Sequence, residues 1–117
     1  MKESILQEKS KRFAIRIVNL FKHLTNEKKE FIMSKQLLKS GTSVGANIME
    51  AEHAQSNLDF IHKNNIALKE ANEAKYWLEL LFETEYLTKE QYESIKTDCD
   101  ELLKMLVSTI KTLKSKT

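Results

Sequence analysis

The sequence predicts an all-α protein, and three observations lead to that prediction. The chain of 117 residues has no proline and only two glycines, so little interrupts long helices. Apolar residues recur at steps of three and four, the spacing of one helix face. The breaks are short, near residues 25–26, 55 and 85–87, which favours antiparallel neighbours. We therefore predict an antiparallel up-down-up-down four-helix bundle with helices over about 4–24, 27–54, 56–84 and 88–115.

The composition is that of one globular domain covering residues 1–117. Hydrophobic residues make up 41% and charged residues 31%, and a chain of this size buries about two-thirds of its surface on folding. The net charge of +2 does not by itself indicate a nucleic-acid-binding protein. A single cysteine, Cys99, excludes an internal disulfide and fits a reducing compartment. With no secretory signal pattern and no long apolar run, we expect a cytoplasmic protein without membrane contact.

The first predicted helix has an apolar face and a basic remainder. Asn26 is a candidate N-cap for the second helix. Glu27 and Glu30 would then lie in the first turn of that helix, where the helix dipole favours anions. The apolar face consists of Ile5, Phe13, Ile17, Leu20, Phe21 and Leu24.

The second predicted helix carries a narrow polar stripe, which we call the polar seam. Its members recur at steps of four, three, four and three, so they share one helix face. No histidine lies on that stripe to act as a base, and we interpret the seam as a structural hydrogen-bond line that fixes helix register or subunit packing. The seam consists of Gln36, Ser40, Ser43, Asn47 and Glu50.

Two glycines, Gly41 and Gly45, share another face of the second helix. Each costs about 1 kcal/mol against alanine inside a helix. Close approach of another backbone usually offsets this cost, so we expect tight packing there. The alternative is a helix break at Gly41 that divides the segment into two shorter helices.

The third and fourth predicted helices begin with recognisable caps. Ser56 precedes the third helix, and Thr88 with Gln91 forms a capping box for the fourth. The third helix has two apolar stripes, and the second of them includes Glu73. One stripe is enough for a surface helix, so the other suggests a subunit interface. The stripes are Phe60, Ala67, Ala71, Ala74, Leu78 and Leu81, and Ile66, Trp77 and Leu80.

Two carboxylate-x-x-His pairs flank the turn between the second and third helices, Glu50 with His53 and Asp59 with His62. Ferritin-like bundles bind two metal ions through Glu-x-x-His pairs on two helices. Here the pairs lie at the end of the bundle without evident partner glutamates on the other helices. We expect polar turn residues and no metal, with a metal site as the alternative.

A nuclease-type alternative rests on Arg16 and His23. Some helical RNA-cleaving domains have this spacing. In them, the histidine acts as a general acid or base, and the arginine stabilises the charge that develops on the phosphate. The residues that usually support such a site are missing. Cys99 lies in the apolar seam of the fourth helix, so we expect a small core residue. The sequence thus predicts no catalytic residue and no cofactor.

Basic residues suggest a second kind of function, which is nucleic-acid binding. On a monomer, basic and acidic side chains form an ordinary mixed surface. In a ring of subunits each lysine is repeated, and many weak contacts with phosphates then add up to stronger binding. The candidate residues are Lys9, Lys11, Arg12, Lys35, Lys39, Lys63, Lys111 and Lys114.

The polar seam also carries a family resemblance that extends over nearly the whole chain. The pattern Gln36…Ser40-x-x-Ser43…Ala46-Asn47-Ile48-x-Glu50, followed by Phe60, by Ile66-Ala67-Leu68-Lys69-Glu70-Ala71-x-Glu73 and by Tyr76-Trp77-Leu78, resembles a bacterial four-helix bundle family. Its members are often encoded by intervening sequences in 23S ribosomal RNA genes. Related proteins resemble the accessory subunit of diversity-generating retroelements.

The resemblance implies an antiparallel bundle that assembles into a barrel-like homopentamer. It implies no enzymatic activity, and the retroelement relatives bind nucleic acid and a reverse transcriptase through a basic surface. The sequence departs from the family pattern at Leu38, where many members have a basic residue, at Met49, where a small residue is usual, and at Ala51, where glycine is usual. We therefore expect a non-enzymatic homo-oligomer, with RNA or DNA as a second partner.

Overall fold

The computed structural model describes residues 4–115, and within them the chain is all-helical. It forms α1 (Ile5–Asn26), α2 (Met33–Glu52), α3 (Asn57–Glu83) and α4 (Lys89–Ser115). No strand occurs between residues 4 and 115, so the predicted all-α class is confirmed. None of the helices in this range is long and apolar enough to cross a membrane.

Each helix packs against two others around a common core. α1 contacts α2 and α4, and α3 contacts the same two helices; over the described range no Cα atom of α1 lies within 8 Å of one in α3, and none of α2 within 8 Å of one in α4. Fully burying one leucine or isoleucine contributes about 1.5–3 kcal/mol. The largest fully buried apolar side chains are Phe13, Ile17, Leu24, Leu37, Ile48, Leu78, Leu81, Leu102 and Leu106.

Hydroxyl side chains cap three of the helices, and two of these caps were predicted. Thr88 and Gln91 form the predicted capping box of α4, with N···O distances of 2.9 and 3.1 Å. Ser56 Oγ accepts the backbone N–H of Asp59 at the start of α3, at 3.1 Å. Ser4 forms a capping box at the start of α1 that the sequence analysis did not identify.

The start of α2 differs from the prediction. Asn26 is the last residue of α1 rather than the N-cap of α2, and α2 begins at Met33, not near residue 27. Lys29 lies in the left-handed region with φ of 56°, which interrupts the helical path. Glu27 and Glu30 therefore belong to the connection between the helices.

Glu30 caps α2 from that connection. One carboxylate oxygen accepts the N–H of Ser34 at 2.7 Å, and the other accepts those of Ile32 and Met33, both at 3.1 Å. Burial alone would raise the pKa of Glu30, but these donors together lower it below its usual value. A buried carboxylate thus satisfies three N–H groups that a helix start leaves unpaired.

α2 runs without a break through Gly41 and Gly45, so the alternative of two shorter helices is wrong. A Cβ added at Gly41 would lie 2.7 Å from Cγ1 of Ile17. At Gly45 it would lie 3.4 Å from Oγ and 3.5 Å from the carbonyl oxygen of Ser10. The glycine face therefore lies against α1, and the predicted tight packing is confirmed.

Candidate functional site

The polar seam lies on the side of α2 that faces α3. Glu50 accepts a hydrogen bond from the Lys63 ammonium of α3 at 3.0 Å. The other seam residues share that face by their spacing, whereas the two glycines face α1. Ser40 is 1% exposed, Ser43 and Asn47 are half-buried, and Gln36 is exposed. The seam thus follows the junction of α2 and α3.

Apart from Glu50, the seam side chains that form hydrogen bonds donate to backbone carbonyls of α2. Ser40 Oγ donates to the carbonyl oxygen of Gln36 at 3.1 Å. Ser43 Oγ donates to that of Lys39 at 2.6 Å, and Asn47 Nδ2 to that of Ser43 at 2.9 Å. Over residues 4–115, no hydrogen bond joins two seam side chains. Ser40, Ser43 and Asn47 therefore donate within α2, and a role of the seam in subunit packing stays a prediction.

The second apolar stripe of α3 lies beside α2. Ile66, Trp77 and Leu80 are half-buried, as is Glu73 within the same stripe. This stripe shares the helix side of Lys63, which bonds Glu50 of α2. The indole Nε1 of Trp77 is buried without a hydrogen-bond partner. Because α2 already covers part of this stripe, the most exposed apolar surface lies elsewhere.

The four residues of the metal alternative are not arranged as ligands. Between residues 4 and 115, no group of three or more His, Cys, Asp or Glu side chains could hold a metal ion. Glu50 instead pairs with Lys63. His53 and His62 are exposed, while Asp59 is half-buried. The turn between α2 and α3 is therefore a polar turn in this structure.

Arg16 and His23 occupy separate environments on α1. The guanidinium of Arg16 donates to Asp98 at 2.7 Å and to Ser94 Oγ at 2.8 Å. His23 has a buried Nε2 without a hydrogen-bond partner and lies about 10 Å further along the helix axis. The guanidinium of Arg16 is hydrogen-bonded to residues of α4. Arg16 and His23 therefore do not form a joint binding site for one phosphate.

Cys99 is a buried core residue, as predicted. Its side chain is 0% exposed, and Sγ donates to the carbonyl oxygen of Ala71 at 3.4 Å. Burial, helped by the nearby Asp100 carboxylate, raises the pKa of the thiol to about 12. The reactive form of cysteine is the thiolate, so this thiol is chemically quiet at neutral pH.

Some of the candidate basic residues form ion pairs with carboxylates of the same chain, and others do not. Lys9 pairs with Glu101 at 3.0 Å, Arg12 with Glu8 at 2.9 Å, and Lys63 with Glu50 at 3.0 Å. Lys114 is exposed in the last turn of α4. Other exposed lysines form no ion pair within the described residues. They include Lys11, Lys35, Lys39 and Lys111.

Two surface grooves are features that the sequence analysis missed. The α1/α2 groove has a volume of about 510 Å³, and the α3/α4 groove about 590 Å³. At their edges Met49 is 62% exposed and Val107 is 40% exposed. The main lining residues are Ser10, Ala14, Thr42, Gly45, Ala46 and Met49 in the first groove, and Leu68, Asn72, Leu103, Lys104, Val107 and Lys111 in the second.

No local sequence signal marks these grooves. Met49 and Val107 lie one residue beyond Ile48 and Leu106, which are core residues. Whether such a neighbour is covered depends on where the adjacent helix lies. The groove therefore becomes visible only when the positions of both helices are known.

The four helices and their packing define a small all-α protein with two uncovered surface grooves. The chain matches the model of the 23S rRNA-intervening sequence protein family over residues 2–108, and it belongs to that family. The family resemblance of the sequence is thereby confirmed.

A solved structure supports the same assignment. The chain is 66% identical to a Bacteroides thetaiotaomicron VPI-5482 protein of unknown function from the S23 ribosomal protein family, whose crystal structure was determined at 1.70 Å resolution. The match covers 92% of this chain and 99% of the other, with a TM-score of 0.91. Among curated proteins, no significant match was found.

Proposed function

We propose that the chain is the subunit of a non-enzymatic, cytoplasmic homo-oligomer, with the pentamer that the family resemblance implies. The observation behind this proposal is the pair of uncovered apolar grooves with Met49 and Val107 at their edges. Burying the exposed parts of Met49 and Val107 against another copy would remove apolar surface from water, which favours association. Neighbouring copies of the chain would remove both grooves from water.

Within the subunit we propose the antiparallel up-down-up-down order. Contacts between neighbouring helices support it, because residue numbers rise along one helix as they fall along the other. The pairs are Lys9–Glu101 and Arg16–Asp98 for α1 and α4, Ser10–Gly45 and Ile17–Gly41 for α1 and α2, and Ala71–Cys99 and Phe82–Tyr92 for α3 and α4.

Light scattering on a sizing column tests the homo-oligomer. At micromolar concentration, we expect a mass that is a multiple of the 13.6 kDa chain and larger than a dimer. A monomer over the accessible concentration range would contradict the proposal.

Nucleic-acid binding is a second proposed function, supported by Lys35 and Lys39. Both are exposed on α2, one turn apart, and neither forms an ion pair within residues 4–115. The sequence holds no acidic residue between Glu30 and Glu50. Unpaired lysines can contact phosphates without first losing a carboxylate partner. In an oligomer this pair repeats once per subunit, which multiplies the number of phosphate contacts.

Binding of a structured RNA hairpin at several salt concentrations tests this second function. Replacing Lys35 and Lys39 by glutamine should weaken binding and make the salt dependence shallower by about 1.5 in log–log slope, the expected loss of two phosphate contacts. The matched control replaces the paired residues Lys9 and Arg12 by glutamine and should change binding less. Equal losses in the two variants, or no binding at low salt, would contradict the assignment.

A further inference from the structure

We infer that neighbouring subunits interlock through the two grooves: α2 of one copy lies in the α3/α4 groove of the next, and α4 of that next copy lies in the α1/α2 groove of the first. This inference rests on the proposed homo-oligomer and specifies its interface. The contact is heterologous, because each copy offers one surface to one neighbour and a different surface to the other.

The first argument is the position of the grooves. α1 lies beside α2 and α4, α3 lies beside the same two helices, and within the described range no Cα atoms of a diagonal pair of helices come within 8 Å. In such a cycle the α1/α2 edge and the α3/α4 edge are opposite sides of the molecule. A copy can therefore use both grooves at once with two different neighbours. Heterologous contacts of this kind produce closed rings or open filaments rather than isolated dimers.

The second argument is the shape and apolarity of the two surfaces. The apolar part of the α3/α4 groove is formed by Leu68, Leu103 and Val107, and the groove has a volume of about 590 Å³. Met49 is an apolar side chain on α2 that is 62% exposed, and methionine adapts well to irregular gaps. We place Met49 of one copy among these three residues of the next.

The reverse contact uses the small residues of α1 and α2. Ala14, Gly45 and Ala46 line the α1/α2 groove, so the backbone of an approaching helix can come close. Val107 of α4 is 40% exposed and lies at the surface of the opposite groove. Entry of α4 into the α1/α2 groove covers these small residues and Val107 in one contact.

The third argument is charge. The residues that line the α3/α4 groove include Lys104 and Lys111 and no acidic residue. The α1/α2 groove carries Lys11 on its α1 edge and Glu52 on its α2 edge. Since α2 is the helix that enters the α3/α4 groove, Glu52 is directed towards its lysines. Glu52 and Lys111 have no ion-pair partner within residues 4–115, so each is available to the other.

Glu52 and Lys111 lie at similar heights along the axis of the subunit. Glu52 ends α2, and Lys111 lies four residues before the end of α4. In the proposed antiparallel order both helix ends lie at the same end of the subunit, and the two residues differ by about 6 Å along the axis. Neighbouring subunits with parallel axes can therefore join Glu52 to Lys111 while Met49 enters the groove.

Mixing two single variants tests the inference. Met49→Glu disables one surface and Val107→Glu disables the other, and a charge in the buried contact should weaken assembly at least about 100-fold. Each variant alone should be a monomer in light scattering. An equimolar mixture should form a 1:1 heterodimer, because one intact surface remains on each variant. Ile5→Glu is the control: Ile5 is 65% exposed one turn from Lys9, on the α1/α4 side, and should leave the oligomer intact.

The outcomes separate this inference from the proposed function. If the wild-type protein is oligomeric but both variants keep its mass, the interface lies elsewhere and the inference is wrong while the homo-oligomer stands. If the variants are monomeric and remain so when mixed, the contact is not heterologous. If the wild-type protein is itself a monomer, both proposals fail. Thermal unfolding by circular dichroism checks that each variant is folded.

Charge reversal gives a second, independent readout. Glu52→Lys and Lys111→Glu should each weaken the oligomer, and the combined variant should restore it, because the pair is re-formed with opposite signs. Additive losses in the combined variant would show that the two residues do not meet.

Discussion

At the scale of single residues, Glu30 determines where α2 begins. Its carboxylate accepts three backbone N–H groups and is 7% exposed. Helix starts are usually capped by Ser, Thr, Asp or Asn immediately before the first turn. Here a glutamate from the preceding loop caps the helix instead. The left-handed backbone conformation of Lys29 turns the loop so that Glu30 reaches the start of α2.

Replacing Glu30 by glutamine should destabilise the fold by about 1–3 kcal/mol, the usual effect of losing hydrogen bonds to a charged group. The amide nitrogen of glutamine cannot accept a hydrogen bond, so at least one N–H group loses its partner. Denaturant unfolding measures the change. Glu27→Gln, in an exposed neighbour of the same loop, serves as the control and should have little effect.

The same residue predicts a pH dependence. The pKa of Glu30 is lowered in the folded protein, so its contribution is fully present above the ordinary value of 4.5. The contribution is lost as the pH falls through the lower folded-state pKa. Wild-type stability should therefore drop more steeply below pH 4.5 than that of Glu30→Gln. Parallel pH profiles of the two proteins would contradict this assignment.

At the scale of elements, the contact of α1 with α2 depends on two glycines in different surroundings. Around Gly41 there is no room for a Cβ, since three carbons of the fully buried Ile17 lie between 2.7 and 3.1 Å from its position. Around Gly45 the nearest atom is 3.4 Å away, an ordinary contact, and the residue borders the open α1/α2 groove.

Gly41→Ala and Gly45→Ala should therefore change stability in opposite directions. Alanine gains up to about 1 kcal/mol of helix propensity at either site. At Gly41 the clash with Ile17 costs about 1–3 kcal/mol and outweighs this gain. At Gly45 the gain should remain, so the variant should be neutral or slightly more stable. Thermal unfolding of both variants tests the contrast, and equal shifts would show that the two contacts are alike.

The sequence predicted those elements whose signals are local. The four helices follow from apolar periodicity, and the caps of α3 and α4 follow from Ser56, Thr88 and Gln91. The start of α2 was missed because its cap is a loop glutamate rather than an adjacent hydroxyl or Asp/Asn side chain. The two grooves were missed because a groove is a property of two helices together, and periodicity describes one helix at a time.

At the scale of the whole molecule, the core, the seam, the grooves and the unpaired lysines occupy different parts of the described chain. The core lies between the four helices, and the seam lies at the α2–α3 junction. The two grooves occupy opposite edges, and the unpaired Lys35 and Lys39 line neither of them. An oligomer that uses both grooves would therefore leave these two lysines exposed for nucleic acid.

The mass of the native assembly tests the central claim most directly. Native mass spectrometry of the wild-type protein should give a single closed species, five times the 13.6 kDa chain for the pentamer that the resemblance implies. A closed ring of any three or more chains would also be consistent with contact surfaces on opposite sides of the subunit. A species of 13.6 kDa at all concentrations would contradict the homo-oligomer, and an isolated dimer would contradict the heterologous contact.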